Sequence, residues 1–437
     1  MRRLLGLFVL ALVGVALVRS PSQAADESPM NVTVQIGRLG DRSIPIALPA
    51  PAGGTGASKE FWDVVRRDLE ISGWFRIIDP AGYLEPATAG VRPGEFTFND
   101  WKPVGAAVLG KTSMTASGSG LRVESYVYEI NGASQLGAKA FTGGADGARA
   151  LGHRVANEII YLVTGQKSFF DTRIACVAKL GANKEIYVVD PDGQGRRQIT
   201  RNGSINLKPR WSPTGSALAF TSWQAGNADL YVADLGRGQI RRVSSRSGTN
   251  IGGAFSPKGD RLALSLSTGG DSDIFVIDAV AGKELARLTR DSGIDVSPSW
   301  SPDGSQIAFV SERSGGPQIY VMGSDGSNPR RVTFQGTYNT DPAWSPAGDR
   351  IAFVGREGNF DVFTVGIDGT GMERVTQGQG DNEDPTWSPD GNYLAFASSR
   401  SGASHLWIAS ADGRHQVQIT TGSGGYSNPH WSPHLSW

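Results

Sequence analysis

Cysteine is nearly absent from the sequence, which limits how the fold can be stabilised. Cys176 is the only cysteine among 437 residues, so an internal disulfide is impossible even in an oxidising compartment. It lies in an apolar run from Ile174 to Ala178, which favours a buried structural thiol over a nucleophile. Stability must therefore come from packing.

The sequence also lacks an excess of positive charge. Lysine and arginine together number 42, as do aspartate and glutamate. The first 24 residues hold three arginines and no acid, so 39 bases face 42 acids in the remainder, a net charge of −3. This balance argues against a generally basic nucleic-acid-binding protein.

Motifs of catalysis and metal binding are scarce as well. The sequence has no Gly-x-Ser-x-Gly elbow, no phosphate loop and no zinc-ligand spacing. Two of the five histidines, His430 and His434, lie four residues apart, but their proline-bounded context disfavours a metal pair. We therefore predict no catalytic residue, no metal and no cofactor.

The first 24 residues have the layout of a cleaved secretory signal. Two arginines precede an apolar run from Leu4 to Val18, and Ser22-Gln23-Ala24 supplies small residues for cleavage. The run is short for a membrane span, although an uncleaved anchor is the alternative, and no cysteine follows it to carry a lipid. We predict a signal peptide at residues 1–24 and an exported chain that is not embedded in a membrane.

The mature N-terminus begins with a short alternating segment. Val32, Val34 and Ile36 recur at every second position, which predicts a mobile, loosely attached strand over residues 25–37. The prolines within residues 44–49 predict a second extended run at a sheet edge or in a loop.

Residues 38–166 combine strand patterns with two helical ones, which predicts a small α/β domain. Apolar residues recur at helical spacing up to Gly73 and again up to Gly165, and each glycine is expected to end its helix. Ser58 is expected to cap the first helix.

From residue 170 onward, the sequence is dominated by one repeated motif. An aromatic residue followed by Ser-Pro recurs every 43 to 45 residues, in the range of a four-stranded propeller blade. The six copies are Trp211-Ser212-Pro213, Phe255-Ser256-Pro257, Trp300-Ser301-Pro302, Trp344-Ser345-Pro346, Trp387-Ser388-Pro389 and Trp431-Ser432-Pro433. Each copy is accompanied by three further strand patterns, and the aromatics are expected to pack between blades.

The two ends of this region complete each other. Residues 174–200 contain the second, third and fourth strands of a blade, whereas residues 426–431 supply a first strand with nothing after it. Joining them closes the ring and removes free sheet edges. The predicted fold therefore has two domains, a small N-terminal α/β domain followed by a six-bladed all-β propeller over residues 170–437, closed by pairing of its first and last strands.

The segments just before the repeated aromatics are the best candidates for binding a partner. If the first strand of each blade lines the axis, these segments ring one mouth of the channel, where loop residues are free to carry function. The predicted contact residues are Asn206, Thr249, Asn250, Asp295, Val296, Asn339, Thr340, Asp341, Glu383, Asp384 and Asn428.

Two interpretations are open for the acids at this mouth. Loops between the second and third strands share the face and carry Arg313, Arg356 and Arg400. Asp341 and Asp384 either pair with these arginines as a brace, which is the favoured interpretation, or contact a partner directly.

The whole chain resembles the TolB family, the periplasmic components of the Tol-Pal system. Beyond the repeats, the resemblance rests on the stretch from Asp68 to Arg76, similar to the family's helix-to-strand turn. It also rests on the junction from Leu162-Val163-Thr164-Gly165 to Phe170-Asp171-Thr172-Arg173-Ile174, similar to the family's interdomain linker. Phe255 and Lys208 depart from the repeat pattern, which has Trp and an acid at these positions.

This resemblance implies a non-enzymatic periplasmic adapter with two partners. The propeller mouth would bind the lipoprotein Pal, and the mature N-terminus, with Val32, Val34 and Ile36, would pair as a strand with TolA. Other outer-membrane lipoproteins or porins are further candidate partners. The implied role is to support outer-membrane integrity and invagination during cell division, and the alternative class is a periplasmic propeller hydrolase or lyase.

Overall fold

The computed structural model describes residues 43–51, 56–86, 88–268 and 270–435. The predicted signal peptide, residues 1–24, and the predicted N-terminal strand with Val32, Val34 and Ile36 lie outside the described residues. Within the described ranges, no helix is long and apolar enough to cross a membrane.

The N-terminal domain is a five-stranded sheet with two long helices. Its strands follow the order β2-β1-β3-β4-β5, in which β1 pairs in parallel with both neighbours and the remaining pairs are antiparallel. The elements are β1 Ile44–Ala47, α1 Ser58–Ser72, β2 Phe75–Ile77, β3 Val108–Ser117, β4 Gly120–Glu129, β5 Ser134–Gly144 and α2 Ala148–Thr164, with 3-10 turns at Pro80–Gly82 and Phe98–Asp100.

Both helices end where the sequence predicts, at glycines in the left-handed conformation. Gly73 has φ 71° after α1, and Gly165 has φ 70° after α2. The start of α1 differs from the prediction, because the helix begins at Ser58 itself and Ala57 before it offers no side-chain cap. The prediction that Ser58 caps the helix is wrong, and its hydroxyl instead donates to Met114 Sδ at 3.8 Å.

Strand β1 lies inside the sheet, so the prediction of an edge strand or loop for residues 44–49 is wrong. Pro45 has no N–H to donate, although it lies within the ladder to β2, opposite Arg76. Its neighbours make the hydrogen bonds to β2, since Ile44 N donates to Trp74 O at 2.8 Å and Ile46 O accepts from Ile78 N at 2.9 Å. Pro45 faces β3, where its carbonyl accepts from Ala107 N at 2.9 Å and strand pairing begins only at Ile46, so the missing donor interrupts neither ladder.

The second domain is a propeller of six four-stranded sheets, each antiparallel throughout. The inner strands of blades 1 to 6 are Asn206–Trp211, Asn250–Phe255, Asp295–Trp300, Asn339–Trp344, Asn382–Trp387 and Tyr426–Trp431. The second strands are Ala217–Ser222, Arg261–Thr268, Gln306–Ser311, Arg350–Glu357, Tyr393–Ser398 and Ile174–Leu180. The third strands are Asp229–Asp234, Asp271–Asp278, Gln318–Gly323, Asn359–Gly366, His405–Ser410 and Asn183–Val189. The outer strands are Gln239–Ser244, Glu284–Arg287, Arg330–Arg331, Glu373–Arg374, Gln416–Gln418 and Arg197–Gln198.

Blade 6 is assembled from both ends of the propeller, as predicted. Its inner strand comes from the C-terminal end and pairs antiparallel with the first strand of the domain, with Trp431 opposite Ile174. The ring is thereby closed by hydrogen bonds between strands that are far apart in the chain.

The repeated aromatics hold neighbouring blades together, as predicted. Trp300 Nε1 donates to Ala254 O of the preceding blade at 3.1 Å, and Trp387 Nε1 donates to Ala343 O at 3.0 Å. A buried indole packs its apolar body between blades while its N–H is satisfied by the neighbouring backbone.

The two domains share one hydrophobic core around the linker. Phe169 contacts Tyr393 and Trp431 of the propeller with ring centroids 4.7 and 4.9 Å apart. The hydroxyl of Tyr393 donates to Ser72 O at the end of α1 at 2.7 Å. Cys176 is fully buried in this core, which confirms the predicted structural thiol, and burial raises its pKa to about 12.

Candidate partner-binding face

The inner strands begin at one face of the propeller, which we call the mouth face, and end at the Ser-Pro turns of the other, the turn face. Each inner strand has six residues, and we number its positions 1 to 6 from the mouth face. In all six blades, the pairing of the inner strand with the second strand shifts register between positions 2 and 5. This is the signature of a β-bulge, which redirects a side chain.

The bulge places position 3 of every blade in the left-handed region. The six φ angles lie between 47° and 66°, and five of the six residues are not glycine. We call this ring the belt; its members are Lys208, Gly252, Ser297, Asp341, Asp384 and Asn428. A conformation that costs energy at five non-glycine residues persists only where surrounding contacts support it.

The belt is cross-linked across the propeller axis by one lysine. Lys208 Nζ lies 2.6 Å from Asp341 Oδ1 and 2.9 Å from Asp384 Oδ1, although these acids belong to blades 4 and 5. Asn428 Nδ2 also donates to Asp384 Oδ2 at 2.7 Å, and Ser297 Oγ to Asp341 Oδ1 at 3.4 Å. These contacts span the channel and form a polar floor beneath the mouth face.

Electrostatics keeps the belt charged. Burial would lower the pKa of Lys208, but Asp341 and Asp384 outweigh burial and hold that pKa above its ordinary value. Burial likewise opposes ionisation of Asp384, yet Lys208 holds the pKa of this carboxyl below its ordinary value.

The prediction that Asp341 and Asp384 pair with arginines of the mouth face is wrong, because their cationic partner is Lys208. Arg313 Nη2 donates to Asp295 at 3.1 Å, and Arg400 Nη2 donates to Asn382 Oδ1 at 2.7 Å. Arg356 lies over the ring of Phe360, 5.4 Å from its centroid. Because the bulge brings position 3 into the ring of contacts around the axis, Lys208 rather than an arginine meets Asp341 and Asp384.

Four predicted contact residues occupy position 1, where the side chains are buried. They are Asn206, Asn250, Asp295 and Asn339, each at most 2% exposed. Asn206 Nδ2 donates to Lys184 O at 2.9 Å, and Asn250 Oδ1 accepts from Ser244 Oγ at 2.6 Å. These side chains hold the loops of the mouth face in place.

Position 2 and the loop before it carry the more accessible predicted residues. Val296, Thr340 and Thr249 are half-buried, and Glu383 is exposed. Although Glu383 is exposed as a whole, partial desolvation of its carboxyl raises its pKa, and the neighbouring Asp384 adds to this effect. The sequence analysis missed the other three residues at position 2, which are half-buried: Leu207, Ile251 and Ser427. Aligning the six segments on their aromatic residues would have found them.

An apolar rim on the same face was not predicted. Four of the exposed large hydrophobic residues of the described chain form this rim, at the end of a second strand or in loops that precede an inner strand. They are Leu180, Ile205, Ile294 and Tyr338, between 38% and 45% exposed. Phe334 begins one of these loops too, but its ring lies beside Gly369 in the turn after the third strand of blade 4, so it is not counted in the rim. Exposed apolar residues that are grouped rather than scattered are typical of interaction surfaces.

A second buried charge network lies between the domains, and no sequence pattern indicated it. His153 Nδ1 of α2 lies 2.6 Å from Asp68 Oδ2 of α1, and Arg149 lies 2.9 Å from Asp190 and 2.8 Å from Asp192. We call these residues, with Arg173 2.9 Å from Asp190, the interdomain network. His153, Asp190 and Asp192 place possible ligand atoms within 4.8 Å of one another, but Arg149 already occupies both aspartates.

Asp68 and His153 form the central pair of this network, and His153 remains protonated at neutral pH. Burial raises the pKa of Asp68 to about 7, which His153 only partly offsets. Burial alone would lower the pKa of His153, but Asp68 and Asp190 outweigh it and raise that pKa to about 10.

Comparison with known proteins identifies both domains. A family model described as the TolB amino-terminal domain matches residues 32–136, and one described as the TolB beta propeller domain matches residues 161–435. The Tol-Pal system protein TolB of Bordetella pertussis is 33% identical over 328 residues, which cover 75% of this chain and 72% of that protein.

Other relatives match over a shorter stretch. The Tol-Pal system protein TolB of Anaeromyxobacter sp. strain K is 39% identical over 221 residues, so the chain spans about half the length of that relative, 50%. The crystal structure of TolB from Acinetobacter baumannii superposes with a TM-score of 0.81 at 26% identity, covering 90% of this chain and 98% of that one.

Proposed function

This chain belongs to the TolB family, and from that premise we propose that it is a non-enzymatic periplasmic adapter of the Tol-Pal system. The adapter binds the lipoprotein Pal at the mouth face and TolA through its mature N-terminus. In this role it supports outer-membrane integrity and invagination during division. The predicted signal peptide supports export to the periplasm.

The observation that carries the proposal is the pairing of the belt with the apolar rim. The rim offers exposed anchors such as Ile205, Ile294 and Tyr338, and the belt beneath it is a polar floor cross-linked by Lys208. Aromatic anchors around a centre with fixed hydrogen-bonding groups are the features that dominate protein interfaces. We therefore place Pal on the rim, with Val296, Thr340 and Glu383 beneath it.

The binding site for TolA is proposed from the sequence alone. Val32, Val34 and Ile36 alternate over residues that would add as one strand to a partner sheet, with backbone hydrogen bonds giving affinity and alternate side chains fixing the register. Other outer-membrane lipoproteins or porins are a further proposed partner class for the mouth face.

The test of the Pal site is calorimetric titration of Pal into the full mature chain. The double variant Ile294→Ala, Tyr338→Ala removes two rim anchors and should weaken Pal binding by about tenfold or more. The matched control is Val280→Ala, since Val280 is 77% exposed and lies in a turn after the third strand, at the other face. Equal Pal affinity in the double variant and the control would contradict this site.

The test of the TolA site is deletion of residues 25–36. TolA binding should be lost while Pal still binds, because the deleted segment precedes every described element of the fold. If the deletion leaves TolA affinity unchanged, the strand proposal is wrong. Failure to bind Pal together with turnover of a small substrate would instead favour the propeller-enzyme alternative.

A further inference from the structure

The axial channel continues beneath the belt as a separate cavity that reaches the turn face. Its volume is about 250 Å³, and its walls include the rings of Trp300, Trp344 and Trp387 together with prolines of the Ser-Pro turns. None of the eleven predicted mouth residues lines it. A smaller cavity of about 80 Å³ on the mouth side shares Arg210, Ala254 and Pro298 with it, so the two cavities meet at Arg210 and the larger one opens away from the mouth face.

The residues at position 5 of the six inner strands line this cavity, and most of them are too small to fill it. The ring consists of Arg210, Ala254, Ser299, Ala343, Thr386 and His430, so four of its six members have short side chains. One long cationic side chain, that of Arg210, stands among them.

The guanidinium of Arg210 has few partners in the protein. Among the described residues, its one hydrogen bond runs from Nη1 to Pro209 O at 3.2 Å, and no carboxylate oxygen lies within 4.0 Å of it. Asp341 and Asp384 of the belt attract it from farther away, but both are already bound to Lys208. Arg210 is half-buried, so most of its N–H groups are unused by the protein and remain available to a ligand or to water in the cavity.

The neighbouring side chains of the ring also present hydrogens rather than lone pairs. Trp211 N donates to His430 Nδ1 at 3.1 Å, which leaves the remaining proton of the neutral imidazole on Nε2. In the same way, Trp344 N donates to Ser299 Oγ at 3.1 Å and Trp431 N donates to Thr386 Oγ1 at 3.2 Å. Each hydroxyl then has its own hydrogen free to donate into the cavity.

We infer that this cavity binds a small monocarboxylate with a flat apolar body, gripped by Arg210 and assisted by His430, Ser299 and Thr386. The planar guanidinium fork matches a carboxylate, and a single cation suits a single negative charge. The tryptophan and proline walls suit an apolar body, and a volume of about 250 Å³ limits that body to about the size of one aromatic ring with its carboxylate. The carboxylate comes either from a free metabolite or from the C-terminus of a peptide.

The test is calorimetric titration of the full mature chain with benzoate, using benzamide as the uncharged isostere. Benzoate should bind about tenfold or more tightly than benzamide, because only the carboxylate pairs with the guanidinium. Arg210→Gln should weaken benzoate binding by about tenfold or more, whereas Arg237→Gln, which removes an exposed arginine of the propeller, should leave it unchanged.

A second variant separates loss of the site from loss of the fold. Ala343→Leu fills the cavity while leaving Arg210 in place, and it should also abolish benzoate binding with Pal binding retained. Equal binding of benzoate and benzamide, full benzoate affinity in Arg210→Gln, or no benzoate binding at millimolar concentration would overturn the proposal.

Two further ligands distinguish the sources of the carboxylate. Acetyl-Ala-Ala-Phe and its C-terminal amide differ only in the terminal carboxylate. Tighter binding of the free acid than of benzoate assigns the cavity to peptide C-termini. Binding of benzoate without binding of the peptide acid assigns it to free metabolites.

Discussion

The belt and the interdomain network are charge networks that differ in the cation at their centre. The belt uses Lys208 against two aspartates, and those aspartates hold the pKa of the lysine above its ordinary value. The interdomain network places His153 against Asp68 and Asp190, with pKa values of about 10 for His153 and about 7 for Asp68.

The difference shows how one fold separates a fixed element from a responsive one. A lysine paired with carboxylates keeps its charge at every physiological pH, so the belt has one state there. A histidine and a carboxyl with a raised pKa exchange a proton nearer to neutrality. We therefore expect the charge state of the belt to be invariant across physiological pH and the domain interface to respond to pH.

The largest expected effect comes from removing the acid that joins the interdomain network. Asp190→Asn leaves Arg149, Arg173 and His153 without their shared carboxylate, which should lower the free energy of unfolding by about 4 kcal/mol. The measurement is urea unfolding at pH 7. Asp234→Asn, which breaks an exposed pair with Arg237, is the control and should leave the free energy of unfolding nearly unchanged. Equal losses in the two variants would remove the basis for treating the network as buried.

The belt should be nearly as sensitive. Lys208→Met leaves Asp341 and Asp384 facing each other without a cation, so the free energy of unfolding at pH 7 should fall by about 3 kcal/mol. The loss should shrink below about pH 4, where carboxylates take up protons. Lys258→Met, at an exposed lysine of a blade turn, is the control and should leave stability within about 0.5 kcal/mol. A pH-independent loss would mean that packing rather than charge explains the effect.

The smallest expected effect is the pH response that separates the two networks. Since the folded pKa of His153 is about 10, above its ordinary 6.5, its contribution is complete below about pH 6.5 and is lost as the pH rises toward 10. Asp68 acts in the same direction, because burial raises its pKa to about 7 and stability is lost as the pH rises through that value.

The check is the free energy of unfolding at pH 6.5 and at pH 9.5. The native chain should lose about 2 kcal/mol between the two, and His153→Asn should lose less. An equal decline in both proteins would assign the pH response to other groups and cancel the contrast with the belt.

The repeats made much of the fold predictable. The aromatic-Ser-Pro motif recurs every 43 to 45 residues, which predicts the number of blades. The strand sets at the two ends of the propeller are each incomplete and together make one blade, which predicts how the ring closes. Strand β1 was misplaced because a proline excludes a strand interior only where its N–H is needed, and register is not visible in a single segment.

The site was less predictable because its contacts join distant parts of the chain. Lys208 meets partners 133 and 176 residues away, so the brace was expected between acids and nearer arginines. The interdomain network likewise joins Asp68 to His153, 85 residues apart, and then to Asp190. Periodicity locates the mouth face, but it does not reveal which side chains a bulge turns toward the axis.

The most direct test of the central claim, that the mouth face is the partner-binding surface, is hydrogen exchange of the full mature chain with and without Pal. Backbone amides at 202–206, 290–296 and 334–341 should be protected by Pal, whereas the turns at 212–216 and 301–305 on the turn face should exchange as in the free chain. Protection of the turn face with no change at the mouth face would contradict the account.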